Sequence, residues 1–373
     1  MKSILVGIYG KYSHIIRIRE RYNYFKTKIL VILRSNVKDQ RISTGYANSN
    51  GENISGCHKS NGYSFASRIK KHRVNIEEVN FILKKYCQEK VLPVCNISTH
   101  GTRITINNTL ITLKELYGGE LNFVYNGGWW QPRNCIESAT TAIIIPFRRR
   151  YQHLPILLRH LHPFLKRQKL HYRIFLIEQD DQNGFNRGKL MNIGFREALR
   201  NFPYKCFVFH DVDLLPEDDR INYGCKHSPT HLSAAVNKFN YELPYTDIFG
   251  GVEMFTADDF RKANGFSNLF YTWGGEDDNL LDRVRKVGMK VYRPSLKIAR
   301  YTMLPHKSIV EVNRSVSERR LTFKLMNVAK KYSHLDGLSS LKYQLNKVEV
   351  KELFTLIKVD LLKKDENNFG VDI

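Results

Sequence analysis

The chain has 373 residues, 42% hydrophobic and 12% aromatic, which is enough for a full core and excludes a fibrous or wholly disordered class. Its formal net charge of +23 asks for anionic partners, such as nucleic acid, an anionic membrane surface or nucleotide phosphate. No stretch interleaves basic and aromatic residues as a nucleic-acid reader would, so no specific nucleic-acid partner is expected.

Residues 1–90 hold 18 Lys and Arg against 6 Asp and Glu. They are dotted with Ser, Asn and Gly and are weakly periodic. They read as a basic tail or stem, largely disordered, with a helix predicted near residues 74–89. The apolar runs at 4–8 and 29–33 are too short to span a bilayer, so no clear transmembrane segment or signal peptide is legible. From residue 91 the composition changes. Thr140–Phe147 reads as a buried strand. Leu154, Leu157, Leu158, Leu161 and Leu165 follow at helical spacing. Residues 173–178 form a second buried strand, 189–199 an amphipathic helix, and Phe207-Val208-Phe209 a third strand. This alternation predicts a doubly wound α/β half with a parallel sheet. Gly and Pro become frequent after Pro216, so loops and short strands are expected there.

Six cysteines occur, at 57, 87, 95, 135, 206 and 225, and none forms Cys-x-x-Cys. A zinc ribbon is therefore not expected, and an even count suits disulfides, whose pairing the spacing leaves open. Sequons at Asn53, Asn96, Asn107 and Asn313 would permit glycosylation in a secretory compartment.

The third strand runs into His210-Asp211-Val212-Asp213. Carboxylates at i and i+2 of an extended chain share a face, so both could serve one divalent cation at the carboxyl end of a parallel sheet. The alternative is an acidic strand end capping a turn. Arg148, Arg149 and Arg150 follow the first strand and suit a diphosphate, or are a solvated charge run. Trp273-Gly274-Gly275-Glu276-Asp277-Asp278 joins a sugar-stacking indole to carboxylates able to take a hydroxyl proton. The same acids suit the start of a helix, where they complement its dipole. Met303 and His306 offer a thioether and an imidazole, a pair that Mn²⁺ accepts beside a carboxylate.

These motifs fall in one order: Ile145-Pro146-Phe147-Arg148-Arg149-Arg150, Phe185-Asn186-Arg187-Gly188, Phe207-Val208-Phe209-His210-Asp211-Val212-Asp213, Phe249-Gly250-Gly251, Asn264-Gly265-Phe266, Trp273-Gly274-Gly275-Glu276-Asp277-Asp278, Met303-x-x-His306 and Asp336-Gly337-Leu338. In that order the chain resembles the β-1,4-galactosyltransferase family over roughly residues 91–360. The resemblance implies a GT-A type α/β fold for 91–373, with a mostly parallel central sheet and flexible active-site loops. It implies an inverting, Mn²⁺-dependent transfer from a UDP-sugar to a GlcNAc-terminated glycan. It also implies a Golgi-lumenal, type II membrane protein, although no anchor is legible here. By the same resemblance Pro146, Phe147, Arg148, Arg150, Phe185, Arg187, Asp211, Val212, Asp213, Ile248 and Trp273 would bind the donor. Asp213, Met303 and His306 would hold the metal, and Asp277 would be the catalytic base. Tyr245, Gly275, Glu276, Asp277, Asp278 and Phe323 would contact the acceptor. Cys95 would pair with Cys135, and Cys206 with Cys225, leaving Cys57 and Cys87 unassigned. One departure bears on the donor. Galactose-specific members carry Tyr directly before Phe-Gly-Gly, where this chain has Ile248. The smaller side chain would admit an N-acetyl group, so the resemblance is nearest to the invertebrate-type β-1,4-N-acetylgalactosaminyltransferases. The readings left beside it are a plain galactosyltransferase using UDP-Gal and a non-catalytic glycan-binding protein on the same fold.

Overall fold

The computed structural model describes residues 92–97, 101–271, 274–305 and 316–363. The helix expected over 74–89 lies outside them, as do Cys57 and Cys87. Among the described residues, 92–196 and 204–363 belong to one compact unit.

The described elements run α1 (Leu113–Gly118), β1 (Trp129–Trp130), β2 (Thr140–Phe147), α2 (His153–Arg167), β3 (His171–Gln179), α3 (Arg187–Asn201), β4 (Cys206–His210), β5 (Leu214–Pro216), β6 (Thr230–His231), β7 (Ala235–Val236), β8 (Val252–Thr256), α4 (Ala257–Lys262), α5 (Glu276–Lys286), β9 (Arg300–Met303), α6 (Val316–Lys331), β10 (Gln344–Val350) and β11 (Thr355–Asp360). The main sheet has the order β10-β11-β3-β2-β4-β8-β6, with β1 also on β3. Its centre is parallel, through the pairs β11–β3, β3–β2 and β2–β4. Every residue of β2, β3 and β4 is buried. Their β-branched and aromatic runs are what a strand covered on both faces requires. Each fully buried Ile or Leu there contributes about 1.5–3 kcal/mol. Helix α2 buries Leu154, Leu157, Leu158, Leu161 and Leu165 in the same core.

The parallel core and helices α2 and α3 match the sequence reading, whereas α1 was not expected. The flanks add to it. Strands β8 and β10 are antiparallel to their neighbours. Helix α4 stands where loops and short strands were expected. It forms because Thr256 caps it: its hydroxyl accepts from the Asp259 amide at 3.1 Å, and two acids occupy the first turn.

The chain leaves β2 for β3 on one side and returns to β4 on the other. A sheet whose order reverses in this way opens a crevice at the carboxyl ends of its strands. A small second sheet, β5-β9-β7, lies beyond β4 and pairs Leu214 with Met303. The two disulfides are those the resemblance implied, Cys95–Cys135 and Cys206–Cys225, with Cα separations of 4.9 and 5.6 Å. The first ties the segment before α1 to the start of β2, and the second fastens the loop after β5 to β4. Among the described residues, no helix is long and apolar enough to cross a membrane.

A candidate active site at the reversal of the sheet

Two strand ends face the crevice. Pro146 and Phe147 close β2, buried, and Arg148 follows half-buried. The Arg148 guanidinium donates to the Asn183 carbonyl at 2.5 Å and lies 6.0 Å from the Phe185 ring centroid. The loop beneath is held by Asp181, which accepts from the Asn183 amide at 2.7 Å, and by Gln179, which donates to the Gly184 carbonyl at 2.9 Å. Arg148 and Phe185 therefore share one wall. Arg150 is half-buried beside them.

The second strand end carries Asp211, buried Val212 and Asp213. The Leu304 amide donates to the Asp213 carbonyl at 2.7 Å, and Met303 pairs with Leu214. Distant segments thus bring Asp213, directly before β5, next to the end of β9, which carries Met303. A carboxylate beside a thioether suits a borderline divalent ion such as Mn²⁺. His306 and Trp273 lie outside the described residues.

Asp211 is held by a cation of the chain itself. It accepts from Arg187 Nε at 2.7 Å. Arg187 also donates through Nη2 to both oxygens of Glu253, at 3.0 and 3.1 Å. Its Nη1 lies 3.9 Å from Glu276 Oε1. One guanidinium therefore joins the strand-end carboxylate Asp211 to the acidic cluster. Burial opposes the Arg187 charge, but Asp211, Glu253 and Glu276 outweigh it and raise its pKa well above the usual value. Three carboxylates around one cation cannot all ionise easily. Burial, against the pull of Arg187, raises Asp211 and pushes Glu253 up to about 8. Burial and the adjacent Asp277 raise Glu276 as well.

The acids Glu276, Asp277 and Asp278 open α5, as the dipole argument expected. Gly275 precedes them at φ 96°, a left-handed conformation that favours glycine, and packs against Phe270 and α6. Helix α5 is anchored from behind. Arg283, buried, donates through Nη2 to Asp336 Oδ2 at 2.8 Å and through Nη1 to the Asp336 carbonyl at 2.5 Å. Asp336 also accepts from the Asn268 amide at 2.9 Å. The Asp-Gly-Leu motif is thus a brace for the helix that presents Asp277. On the crevice side a Cβ on Gly250 would collide with the Asp277 carboxylate, so that glycine is what lets Asp277 lie against the loop before β8.

That loop, residues 245–250, carries Ile248, half-buried, and Tyr245, whose hydroxyl donates to Asp278 Oδ1 at 2.9 Å. Burial, with Asp277 and Asp278 nearby, raises the Tyr245 pKa, so it stays a donor. Arg293 clamps the loop by donating to the carbonyls of Thr246 at 2.8 Å and Ile248 at 2.5 Å. Its Nε donates to His231 Nδ1 at 3.2 Å, which leaves His231 Nε2 to donate to the Gly250 carbonyl at 3.0 Å. Phe323 lies exposed on α6, next to Thr322, whose methyl group is near Gly275.

The structure thus gathers Arg148, Phe185, Arg187, Asp211, Asp213 and Met303 on one side. Ile248, Tyr245, Glu276, Asp277 and Asp278 gather on the other. Sequence reasoning missed Glu253, Arg293 and His231. Glu253 left one signal, an acid inside an apolar strand, and the other two left none.

Known proteins supply a frame for this geometry. A family described as the N-terminal region of glycosyl transferase group 7 matches residues 95–226. A second, described as the N-terminal domain of galactosyltransferase, matches 230–307. β-1,4-Galactosyltransferase 5 of Mus musculus is 44% identical over 235 residues, covering 63% of this chain and 59% of the mouse protein. β-1,4-Galactosyltransferase 5 of Danio rerio is 43% identical over 282 residues, covering 74% of this chain and 71% of the relative. The chain thus spans only about three fifths of the mouse protein's length. Among solved structures, a mutant Drosophila β-1,4-galactosyltransferase 7 in complex with manganese, UDP-Gal and xylobiose is 28% identical, with a TM-score of 0.51. That match covers 60% of this chain and 94% of the other.

Proposed function

The chain belongs to the β-1,4-galactosyltransferase family, and from that premise we propose that it is an inverting glycosyltransferase. It transfers GalNAc from UDP-GalNAc to the 4-hydroxyl of a terminal β-GlcNAc on a glycoprotein or glycolipid. The observation that carries this reading is the Asp277 carboxylate lying on Gly250, two residues from Ile248 and next to Gly251, whose carbonyl accepts from the Asp211 amide at 3.0 Å.

Asp277 accepts the proton of the attacking 4-hydroxyl as the new bond to the anomeric carbon forms on the face opposite UDP. Glu276, Asp278 and Tyr245 hold the acceptor ring. Arg148, Arg150 and Phe185 hold the nucleotide between the ends of β2 and β4. Asp213 and Met303, with His306, would hold Mn²⁺, which when bound would supply positive charge to the departing diphosphate. Ile248 leaves room for the acetamide at the sugar's C2. Water exclusion limits donor hydrolysis. Residues 91–373 act as the catalytic domain and 1–90 as a basic stem. The two disulfides support an oxidising compartment; the Golgi lumen and a type II membrane topology rest on the family resemblance alone.

A second reading is transfer of galactose from UDP-Gal, favoured by the names of the relatives and by the donor in the Drosophila complex. A donor panel with a GlcNAc-terminated acceptor, with and without Mn²⁺, decides. We expect Mn²⁺-dependent transfer with UDP-GalNAc preferred. Preference for UDP-Gal would replace the first reading by the second. Donor binding without turnover by either sugar would leave a glycan-binding protein.

A further inference from the structure

Glu253 belongs to none of the motifs above. It sits in β8, opposite Phe209 of β4 and His231 of β6, and is fully buried. A carboxylate in the middle of a sheet is costly unless it is paired, and a strand that needed only packing would carry an apolar side chain there. Both of its oxygens face one nitrogen, Arg187 Nη2, at 3.0 and 3.1 Å. That nitrogen also donates to the Gly251 carbonyl at 3.3 Å.

The remaining corners of the guanidinium show what this grip does. Nε is taken by Asp211 at 2.7 Å. Nη1 is buried and makes no hydrogen bond, and Oε2 of Glu276 is likewise buried without a partner. Those two polar atoms belong to groups 3.9 Å apart at their nearest. Buried polar atoms without partners are rare and mark places where a ligand group completes the bonding. A guanidinium is planar, so fixing two corners fixes the third. With Asp211 on Nε and Glu253 on Nη2, Nη1 can point only toward Glu276.

We propose that Glu253 is a positioning residue: by holding Nη2 of Arg187 it aims Nη1 at Glu276, and so couples the donor-side carboxylate Asp211 to the acceptor-side carboxylate Glu276. The proposal rests on reading this crevice as a sugar-transfer site. Without Glu253 the guanidinium turns about its bond to Asp211, and Nη1 leaves the acceptor side. Burial opposes ionisation of Glu253 and Arg187 favours it, so the two act as a unit.

A double-mutant cycle on the full chain tests this. Glu253→Met keeps the bulk of the side chain and removes both acceptor oxygens. We expect kcat/KM for transfer to fall about tenfold or more, with the acceptor KM rising more than the donor KM. The thermal midpoint should stay within about 3 °C. In an Arg187→Lys background, which has no fork to aim, the same substitution should change kcat/KM less than about twofold. Unchanged kinetics in Glu253→Met, whether or not the midpoint falls, would overturn the proposal, as would an equal loss in both backgrounds. If Glu253→Met does not fold, Glu253→Gln carries the same cycle, with an expected loss of about threefold that vanishes beside Lys. Failure of the underlying reading looks different, because the unsubstituted protein then transfers nothing.

Discussion

At the scale of single residues, the site depends on side chains with almost no freedom to move. Asp277 lies on the bare face of Gly250, and the Asp278 amide donates to its Oδ1 at 3.0 Å. Its other oxygen faces the crevice loop. Asp277→Asn keeps this shape and removes the ability to take a proton. We expect kcat to fall about 10²–10⁴-fold while UDP binding with Mn²⁺ is retained. Isothermal titration beside a transfer assay checks both halves, and near-native turnover would remove Asp277 from the role of base. In the proposed reading Ile248 acts by size. Its backbone is fixed by Arg293, so a larger side chain there cannot be relieved by loop movement. Ile248→Tyr should shift the ratio of UDP-GalNAc to UDP-Gal use by about tenfold toward UDP-Gal. Undiminished UDP-GalNAc use would place donor choice elsewhere.

At the scale of elements, the loop before β8 works because three others hold it. Arg293 and His231 grip its carbonyls, and Asp247 is paired in two bonds with Arg285 of α5, at 2.8 and 2.6 Å. The exposed Asp247–Arg285 pair contributes little by itself, because solvent screens it. The Arg293 bonds are partly buried and directional, so they set the position of Ile248. Arg293→Met should leave the fold intact, lower kcat/KM about tenfold and shrink the discrimination between the two donors. Parallel kinetics with both donors checks it, and discrimination kept at the native ratio would show that the loop needs no clamp. The clamp also marks where sequence reading ends. Arg293 and His231 stand 62 positions apart, and no periodicity or spacing joins them. The two-residue strands β6 and β7 are invisible for the same reason, since their pairing is set by what lies beside them. By contrast, Thr140–Phe147 and the Leu stripe of α2 were legible because burial on both faces of a strand, or along one stripe of a helix, writes a periodic pattern. Asp213 and Met303 were legible as chemistry, but their meeting was not, because β9 joins β5 only in the fold.

At the scale of the whole molecule, burial of titratable groups on both sides of neutrality sets a window of stability. Burial pushes His162 and His210 down to about 4. Burial, with the Arg293 charge, pushes His231 down to about 3. These imidazoles are neutral in the native state and have an ordinary pKa near 6.5 when unfolded. As pH falls below 6.5, the unfolded chain gains protons that the native chain refuses, and stability is lost progressively down to about pH 4 and then 3. Glu253 works in the opposite direction. Its native pKa of about 8 lies above the ordinary 4.5, so the native state keeps a proton that the unfolded chain releases. Stability is therefore lost as pH rises from 4.5 through 8, and the raised Glu276 adds to the loss. Each uncompensated proton contributes a slope of at most about 1.4 kcal/mol per pH unit. Between 4.5 and 6.5 the two slopes oppose each other, so the ligand-free protein should be most stable there and lose thermal midpoint on either side. Midpoints measured across pH 4–9 in constant ionic strength test this. The alkaline arm should flatten in Glu253→Met, which removes the buried acid, while the acid arm, set by the histidines, should remain. A native alkaline arm that is already flat would show that Arg187 keeps Glu253 ionised throughout.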